Sequence, residues 1–150
     1  MGISSDGILA YGFDLGSEES PLVKEFDEDE YRLQVDWYND GDDDEEGFQY
    51  AALKRLLDAN GLPDDNPYSR ERVVKDKLGV EMVVYCTFDI PSWVLAAKHY
   101  TVSRGSVQVL TAEDLTVDPT WEPKLRSALE ALGLTPEQEK PEWLLVSLMG

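Results

Sequence analysis

The sequence predicts a single α+β domain whose sheet is mainly antiparallel and is covered by three to four helices. The chain has 150 residues, of which 42% are hydrophobic, and this size and composition suit one core. Strand-like runs outnumber helical runs, and they do not alternate with helices as the strands of a parallel sheet do. Two long β-rich runs are separated only by a turn, which predicts a hairpin.

Two strands are predicted in the first 40 residues. Residues 8–15, ILAYGFDL, form an apolar run with turn-forming residues at both ends. Residues 31–37, YRLQVDW, alternate between apolar and polar side chains. A period of two is typical of a strand with one buried face. The side chains expected to face the core are Tyr31, Leu33, Val35 and Trp37.

Three segments predict α-helices. Residues 48–60 have an apolar stripe with a period of 3.6, and Gly61 follows as a C-terminal cap. The stripe consists of Phe48, Ala52, Leu53, Leu56 and Leu57. Residues 69–78 predict a short basic helix, and residues 121–132 predict a longer one with Thr120 as its N-cap.

The second half of the chain contains the remaining predicted strands. Residues 80–90 and 91–103 are rich in β-formers, so we expect an antiparallel hairpin. Residues 107–110, VQVL, predict a short third strand, and residues 142–150 predict a buried final strand. Between them, residues 135–138 match a capping box, which predicts about one turn of helix.

The charge of the chain is strongly acidic and regional. There are 31 Asp and Glu residues against 13 Lys and Arg residues, for a net charge of −18. Between Asp14 and Glu46 there are fifteen acids and two bases, whereas the rest of the chain has a net charge of only −5. Direct binding to DNA or RNA is therefore not expected, because proteins hold nucleic acid with Lys and Arg side chains.

Catalytic chemistry has little support in the sequence. There is no glycine-rich phosphate loop, no HExxH and no GxSxG. A hairpin turn centred between Pro91 and Ser92 would place Cys86 and His99 diagonally on one face at ~7 to 8 Å, too far apart for a hydrogen bond. We expect Cys86 to be a buried core residue and His99 to be half-buried. The sequence thus predicts a protein that is not an enzyme and uses no cofactor.

The acidic run at residues 39–47, NDGDDDEEG, partly matches a calcium-binding loop. Counted from Asp42, the residues at positions 3, 5 and 6 are Asp44, Glu46 and Gly47. Position 12 is Leu53, where an EF-hand has a bidentate Glu. A specific metal site is therefore not predicted. A calcium-binding module that uses Asp42, Asp44 and Glu46 is kept as a weaker alternative.

The acidic residues are interleaved with aromatic residues, which often anchor protein interfaces. A dense carboxylate surface offers a basic DNA-binding groove a field similar to that of duplex DNA. We therefore predict a surface for a basic nucleic-acid-binding protein, with Trp37 and Tyr38 as candidate anchors. Its acidic members are Glu25, Asp27, Glu28, Asp29, Glu30, Asp40, Asp42, Asp43, Asp44, Glu45 and Glu46. A solvated edge and an immunity-type protein that neutralises a basic toxin are the alternatives.

Two segments of the chain resemble known proteins. Residues 1–13, MGISSDGILAYGF, and residues 103–109, SRGSVQV, resemble segments of small uncharacterised proteins carried by bacteriophages and prophages. The resemblance implies a phage setting, in which small acidic proteins block host defence as anti-CRISPR and anti-restriction proteins do. It implies as partner a CRISPR effector or another defence nuclease. Because no membrane span or signal peptide is recognised in the sequence, we expect the protein to act in the bacterial cytosol.

Overall fold

The computed structural model describes residues 5–38 and 47–150. Within these residues the chain forms one α+β domain with six strands, three α-helices and one short 3₁₀ helix. The strands are β1 (Ser5–Ser17), β2 (Phe26–Asp27), β3 (Arg32–Leu33), β4 (Glu81–Thr87), β5 (Pro91–Ser103) and β6 (Glu142–Met149). The α-helices are α1 (Phe48–Ala59), α2 (Arg70–Leu78) and α3 (Trp121–Leu132), and the 3₁₀ helix is Pro67–Ser69. No helix in the described part of the chain is long and apolar enough to cross a membrane.

Four of the strands form a sheet that closes on itself. β1 pairs with β5 on one side and with β6 on the other, and β4 pairs with the second edge of β5, all antiparallel. A short parallel pairing of Cys86 and Thr87 with Leu148 and Met149 joins β4 to β6. The mainly antiparallel sheet predicted from the sequence is therefore confirmed. β2 and β3 form a separate two-stranded hairpin.

Two apolar clusters pack against the closed sheet. The smaller cluster consists of side chains from its four strands. The larger cluster packs side chains of the strands against the three α-helices. The register between β1 and β5 shifts at Tyr11 and Gly12. A methyl group on Gly12 would overlap the backbone carbonyl of Leu95, so the strands approach this closely because the residue is glycine.

The three predicted helices are present, and α1 has the predicted apolar stripe. α1 buries Phe48, Ala52, Leu53, Leu56 and Leu57, and α3 buries Leu125, Ala128, Leu129 and Leu132. α2 and α3 each end at a glycine with positive φ, Gly79 and Gly133. Thr120 occupies the predicted N-cap position of α3, but its side chain makes no capping bond to the helix. Its hydroxyl donates to Asp118 Oδ1 at 2.7 Å instead.

The predicted β4–β5 hairpin is present, but its register differs from the expected one. Cys86 pairs with Pro91, which centres the turn between residues 88 and 89. Beyond the end of β4, His99 of β5 pairs with Ala10 of β1. Cys86 and His99 therefore lie at opposite ends of the hairpin. The buried position predicted for Cys86 is wrong, because the residue adjoins the turn, beyond the core, and is exposed with a φ of 73°.

The strand predicted at residues 31–37 is reduced to the two residues of β3. Leu33, Val35 and Trp37 keep the predicted alternation, since each packs against the larger apolar cluster. Tyr31 does not, because 78% of it is exposed. The backbone after β3 has no partner strand among the described residues, so the side-chain pattern persists without a sheet.

Two further strand predictions are corrected. Residues 107–110 belong to no strand and have no partner strand among the described residues. β6 is a strand, but it is only partly buried. Leu145 is 81% exposed and Met149 is 53% exposed, since no described helix covers that face.

The predicted capping box at residues 135–138 does not form a helix. Gln138 bonds to β1 instead, with its Nε2 donating to the Gly12 carbonyl at 2.8 Å and its Oε1 accepting from the Asp14 N–H at 2.9 Å. Thr135 bonds to Glu25. Distant partners in the folded chain have replaced the local ones that define the motif.

Candidate functional site

We call residues 14–46 the acidic segment. Its described part, residues 14–38, is built around the β2–β3 hairpin, whose ladder has only two residue pairs. Asp27 Oδ1 accepts hydrogen bonds from the backbone N–H groups of Asp29 at 2.9 Å and Glu30 at 3.3 Å. These bonds fix the turn in the way that Asp side chains fix Asx turns. Glu28, Asp29 and Glu30 are exposed at the end of the hairpin, and we call these three residues the acidic tip.

Glu25 attaches this hairpin to the rest of the domain. Its carboxylate accepts hydrogen bonds from the Thr135 N–H at 2.5 Å and from the Thr135 hydroxyl at 2.8 Å. Its backbone carbonyl accepts from the Gln34 N–H at 2.8 Å. Next to it, the Lys24 N–H donates to the Thr135 carbonyl at 2.9 Å. The Glu25 carboxylate, predicted as part of a partner surface, is thus bound within the chain and positions the hairpin.

The aromatic side chain that the segment exposes is not one of the two predicted anchors. Trp37 Nε1 donates to the Leu132 carbonyl at 2.7 Å, and its ring centroid lies 5.6 Å from that of Phe48. Tyr38 is also half-buried against Phe48, at 5.5 Å. Both candidate anchors therefore pack into the domain. Tyr31 is the exposed aromatic residue, next to the acidic tip, and its φ of 51° is unusual for a residue other than glycine.

The charge of the segment has few internal partners. Residues 14–38 contain nine acids and two bases, and no ion pair between described residues involves them. Glu18 bonds to a residue that is far away along the chain. Its Oε1 accepts a hydrogen bond from the Phe48 N–H at the start of α1, at 3.2 Å. The predicted residues Asp40, Asp42, Asp43, Asp44, Glu45 and Glu46, and with them the calcium alternative, lie outside the described residues.

A narrow cleft lies between the β2–β3 hairpin, the start of α1 and β5. Its walls are mostly apolar, with Glu18 and Arg32 as their charged members. The free space is about 20 Å³, which is room for about one water molecule. Trp93 lines the cleft, is 3% exposed, and its Nε1–H has no acceptor among the described residues. Sequence patterns could not indicate this cleft, because separate segments of the chain form its walls.

A second polar cluster joins α2 to the sheet at Glu81. His99 Nδ1 lies 2.6 Å from one oxygen of this buried carboxylate, and Lys75 Nζ lies 3.2 Å from the other. Burial raises the pKa of Glu81, but the hydrogen bonds and charges of His99 and Lys75 outweigh burial and leave the pKa below its usual value. The half-buried position predicted for His99 is confirmed. Its carboxylate partner was not predicted, because the pairing depends on the hairpin register.

No group of three or more His, Cys, Asp or Glu side chains among the described residues is arranged to hold a metal ion. Comparison of the chain with protein-family models, curated proteins and solved structures found no significant match.

Proposed function

We propose that this protein binds a basic, nucleic-acid-binding protein of a bacterial host through its acidic segment, and that it blocks the nucleic-acid site of that protein. The proposed partner is a CRISPR effector or another defence nuclease, met in the cytosol during phage infection. The phage setting is supported by the resemblance of residues 1–13 and 103–109 to phage proteins. The proposed chemistry is supported by the acidic tip.

The acidic tip carries the proposal because its carboxylates are exposed and the backbone turn that presents them is held in place. Asp27 fixes the turn, and the bonds between Glu25 and Thr135 attach the hairpin to the domain. A loop that serves only solubility gains nothing from such internal bonds. A binding surface does gain, because a pre-organised surface loses less conformational entropy when a partner binds. This geometry favours recognition over simple solvation.

The charge distribution supplies the first step of binding. The net charge between Asp14 and Glu46 is −13, against −5 for the rest of the chain, so the field of the protein is strongest on one region. Such a field attracts a basic partner and increases the association rate. Salt screens it, with a Debye length of ~8 Å at physiological ionic strength. Affinity is therefore expected to fall as the salt concentration rises.

Tyr31 supplies the short-range contact in this proposal. Its ring is exposed beside the acidic tip, and it packs edge-on against Phe26 with 6.4 Å between the ring centroids. Tyrosine is enriched among the residues that dominate interface energies. Tyr31→Asn removes the ring but keeps a residue that tolerates a left-handed backbone. We expect this substitution to weaken partner binding about ten-fold or more.

The decisive experiment compares two variants that change the net charge equally. Glu28→Gln/Asp29→Asn/Glu30→Gln neutralises the acidic tip. Glu71→Gln/Asp76→Asn/Glu130→Gln neutralises three exposed acids on α2 and α3. The immobilised parent chain is used to capture proteins from a bacterial lysate at low salt, duplex DNA is used to displace them, and mass spectrometry identifies them. Affinity and nuclease inhibition are then measured with the purified partner.

We expect the partner to be a nucleic-acid-binding protein that duplex DNA displaces. The variant at the acidic tip should bind it at least ten-fold more weakly and with a smaller dependence on salt, whereas the control variant should bind like the parent. Equal weakening in both variants would mean that net charge alone matters. Unchanged binding in both would exclude the acidic tip, and a captured toxin without a nucleic-acid site would replace the proposal with an immunity function.

A further inference from the structure

Residues 106–111 form a segment without a partner strand that contains neither turn nor bend. Both ends of the segment are held in place. The Ser106 N–H donates to the Ser103 carbonyl at 3.0 Å, and the Thr111 N–H donates to Asp114 Oδ2 at 2.9 Å. Local hydrogen bonds therefore anchor both ends of the segment, although it belongs to no sheet.

The backbone of this segment has unused hydrogen-bonding groups. The N–H groups of Val107, Gln108, Val109 and Leu110 have no acceptor among the described residues. Among their carbonyls, only that of Val109 accepts a bond from a described residue, Gln108, whose Nε2 lies at 3.5 Å. The side chains of Val107 and Val109 are 87% and 75% exposed. A sequence of β-formers with unpaired backbone groups is a template for another strand.

The charge of the segment indicates which strand it accepts. No Asp or Glu lies between Arg104 and Ala112, in a chain that has 31 acids. Two copies of a chain with a net charge of −18 repel each other, and this uncharged stretch lets their backbones approach without bringing carboxylates together. A basic partner, by contrast, is attracted to the acidic segment. The occupant that fits residues 106–111 is a second copy of the same segment.

We propose that residues 106–110 of two chains pair as antiparallel strands in a symmetric dimer. With Gln108 on the two-fold axis, Val107 of each chain lies opposite Val109 of the other, and the exposed valines pack together. The ladder then has four hydrogen bonds: Gln108 N–H to the Gln108 carbonyl and Leu110 N–H to the Ser106 carbonyl, each made twice. The Val109 carbonyl, which its own chain already occupies, is not required.

The proposed interface is small, so the dimer is expected to be weak, with a Kd of ~10 to 100 μM. Salt should strengthen dimerisation, since it screens the repulsion between two acidic chains. Binding of a basic partner should respond to salt in the opposite direction. The two proposals therefore fail or succeed independently.

The test measures the mass of the full chain by analytical ultracentrifugation over ~1 to 300 μM protein at low and high salt. The parent should rise from the monomer mass of 16.9 kDa to twice that value, and more readily at high salt. Val107→Lys/Val109→Lys should remain monomeric. The control Leu145→Lys/Met149→Lys adds the same charge at exposed apolar residues of β6 and should dimerise like the parent.

Cross-linking tests the register. In a Cys86→Ser background, Gln108→Cys should form a disulfide-linked dimer under mild oxidation, because each Cys faces its copy. Ser106→Cys should not, because Leu110 lies opposite it. A parent chain that is monomeric throughout, a Val107→Lys/Val109→Lys variant that still dimerises, or faster cross-linking at position 106 than at position 108 would each overturn the proposal.

Discussion

The β2–β3 and β4–β5 hairpins are held in place in different ways. β4 and β5 are joined by six residue pairs and contribute buried side chains to both apolar clusters. β2 and β3 have two pairs, and bonds from Glu25 and Trp37, outside their ladder, attach them to the domain. The β4–β5 hairpin is therefore part of what stabilises the domain, whereas β2–β3 is positioned by a few polar contacts. The acidic surface can therefore change without unfolding the protein.

The largest expected loss of stability follows from a substitution in the β4–β5 hairpin. Leu95 of β5 is fully buried in the larger cluster, so Leu95→Ala should lower the free energy of unfolding by about 2–5 kcal/mol. Urea unfolding checks this value. Val109→Ala, at a position that is 75% exposed, is the control and should change stability by less than about 0.5 kcal/mol. Similar losses in both variants would contradict the role assigned to β4–β5.

The contribution of Glu81, at the start of β4, to the stability of the domain should depend on pH. Glu81→Gln is expected to cost about 1–3 kcal/mol at pH 6, because it removes a buried carboxylate that bonds to His99 and Lys75. The pKa of Glu81 is lowered in the folded chain, so its contribution is present above the unfolded-state pKa of about 4.3 and is lost as the pH falls through the lower folded-state value.

Urea midpoints of the parent and Glu81→Gln should therefore converge as the pH is lowered from 6 toward 3. Glu71→Gln, at an exposed position on α2, is the control and should differ little from the parent at every pH. A stability difference between the parent and Glu81→Gln that is constant across this range would contradict the lowered pKa.

A moderate effect is expected where the acidic hairpin joins the domain. Glu25→Gln and Thr135→Ala should each cost about 1 kcal/mol, and the double variant should cost little more than either, because both remove the same bonds. Hydrogen exchange of residues 26–34 should accelerate in all three variants. Additive losses, or unchanged exchange, would show that this contact does not hold the hairpin.

The smallest expected effect is on the acidic tip. Glu28→Gln/Asp29→Asn/Glu30→Gln should leave the free energy of unfolding within about 0.5 kcal/mol of the parent value, because the three side chains are exposed and no ion pair with a described residue involves them. Thermal unfolding at physiological salt checks this. A loss above about 1 kcal/mol would mean that the acidic tip has a structural role, and the difference between the hairpins would disappear.

The candidate site was predictable in composition but not in geometry. The acidic excess and its position between Asp14 and Glu46 are visible in the sequence. The roles of Glu25 and Glu18 are not, since their acceptor oxygens bond to Thr135 and Phe48, which are far away along the chain. The exposure of Tyr31 is equally invisible, because its positive φ interrupts an otherwise regular alternation.

The sequence alone determined the elements whose side chains repeat with a clear period. The stripes of α1 and α3 and the β4–β5 hairpin follow from local patterns, because burying one face of a helix or strand depends on spacing within that element. Tertiary structure decided the rest. Residues 107–110 have strand composition but no partner, and the Thr135–Gln138 motif bonds to Glu25 and β1 instead of capping a helix. Pairing and hydrogen bonding depend on which distant groups are within reach, and local spacing does not encode that.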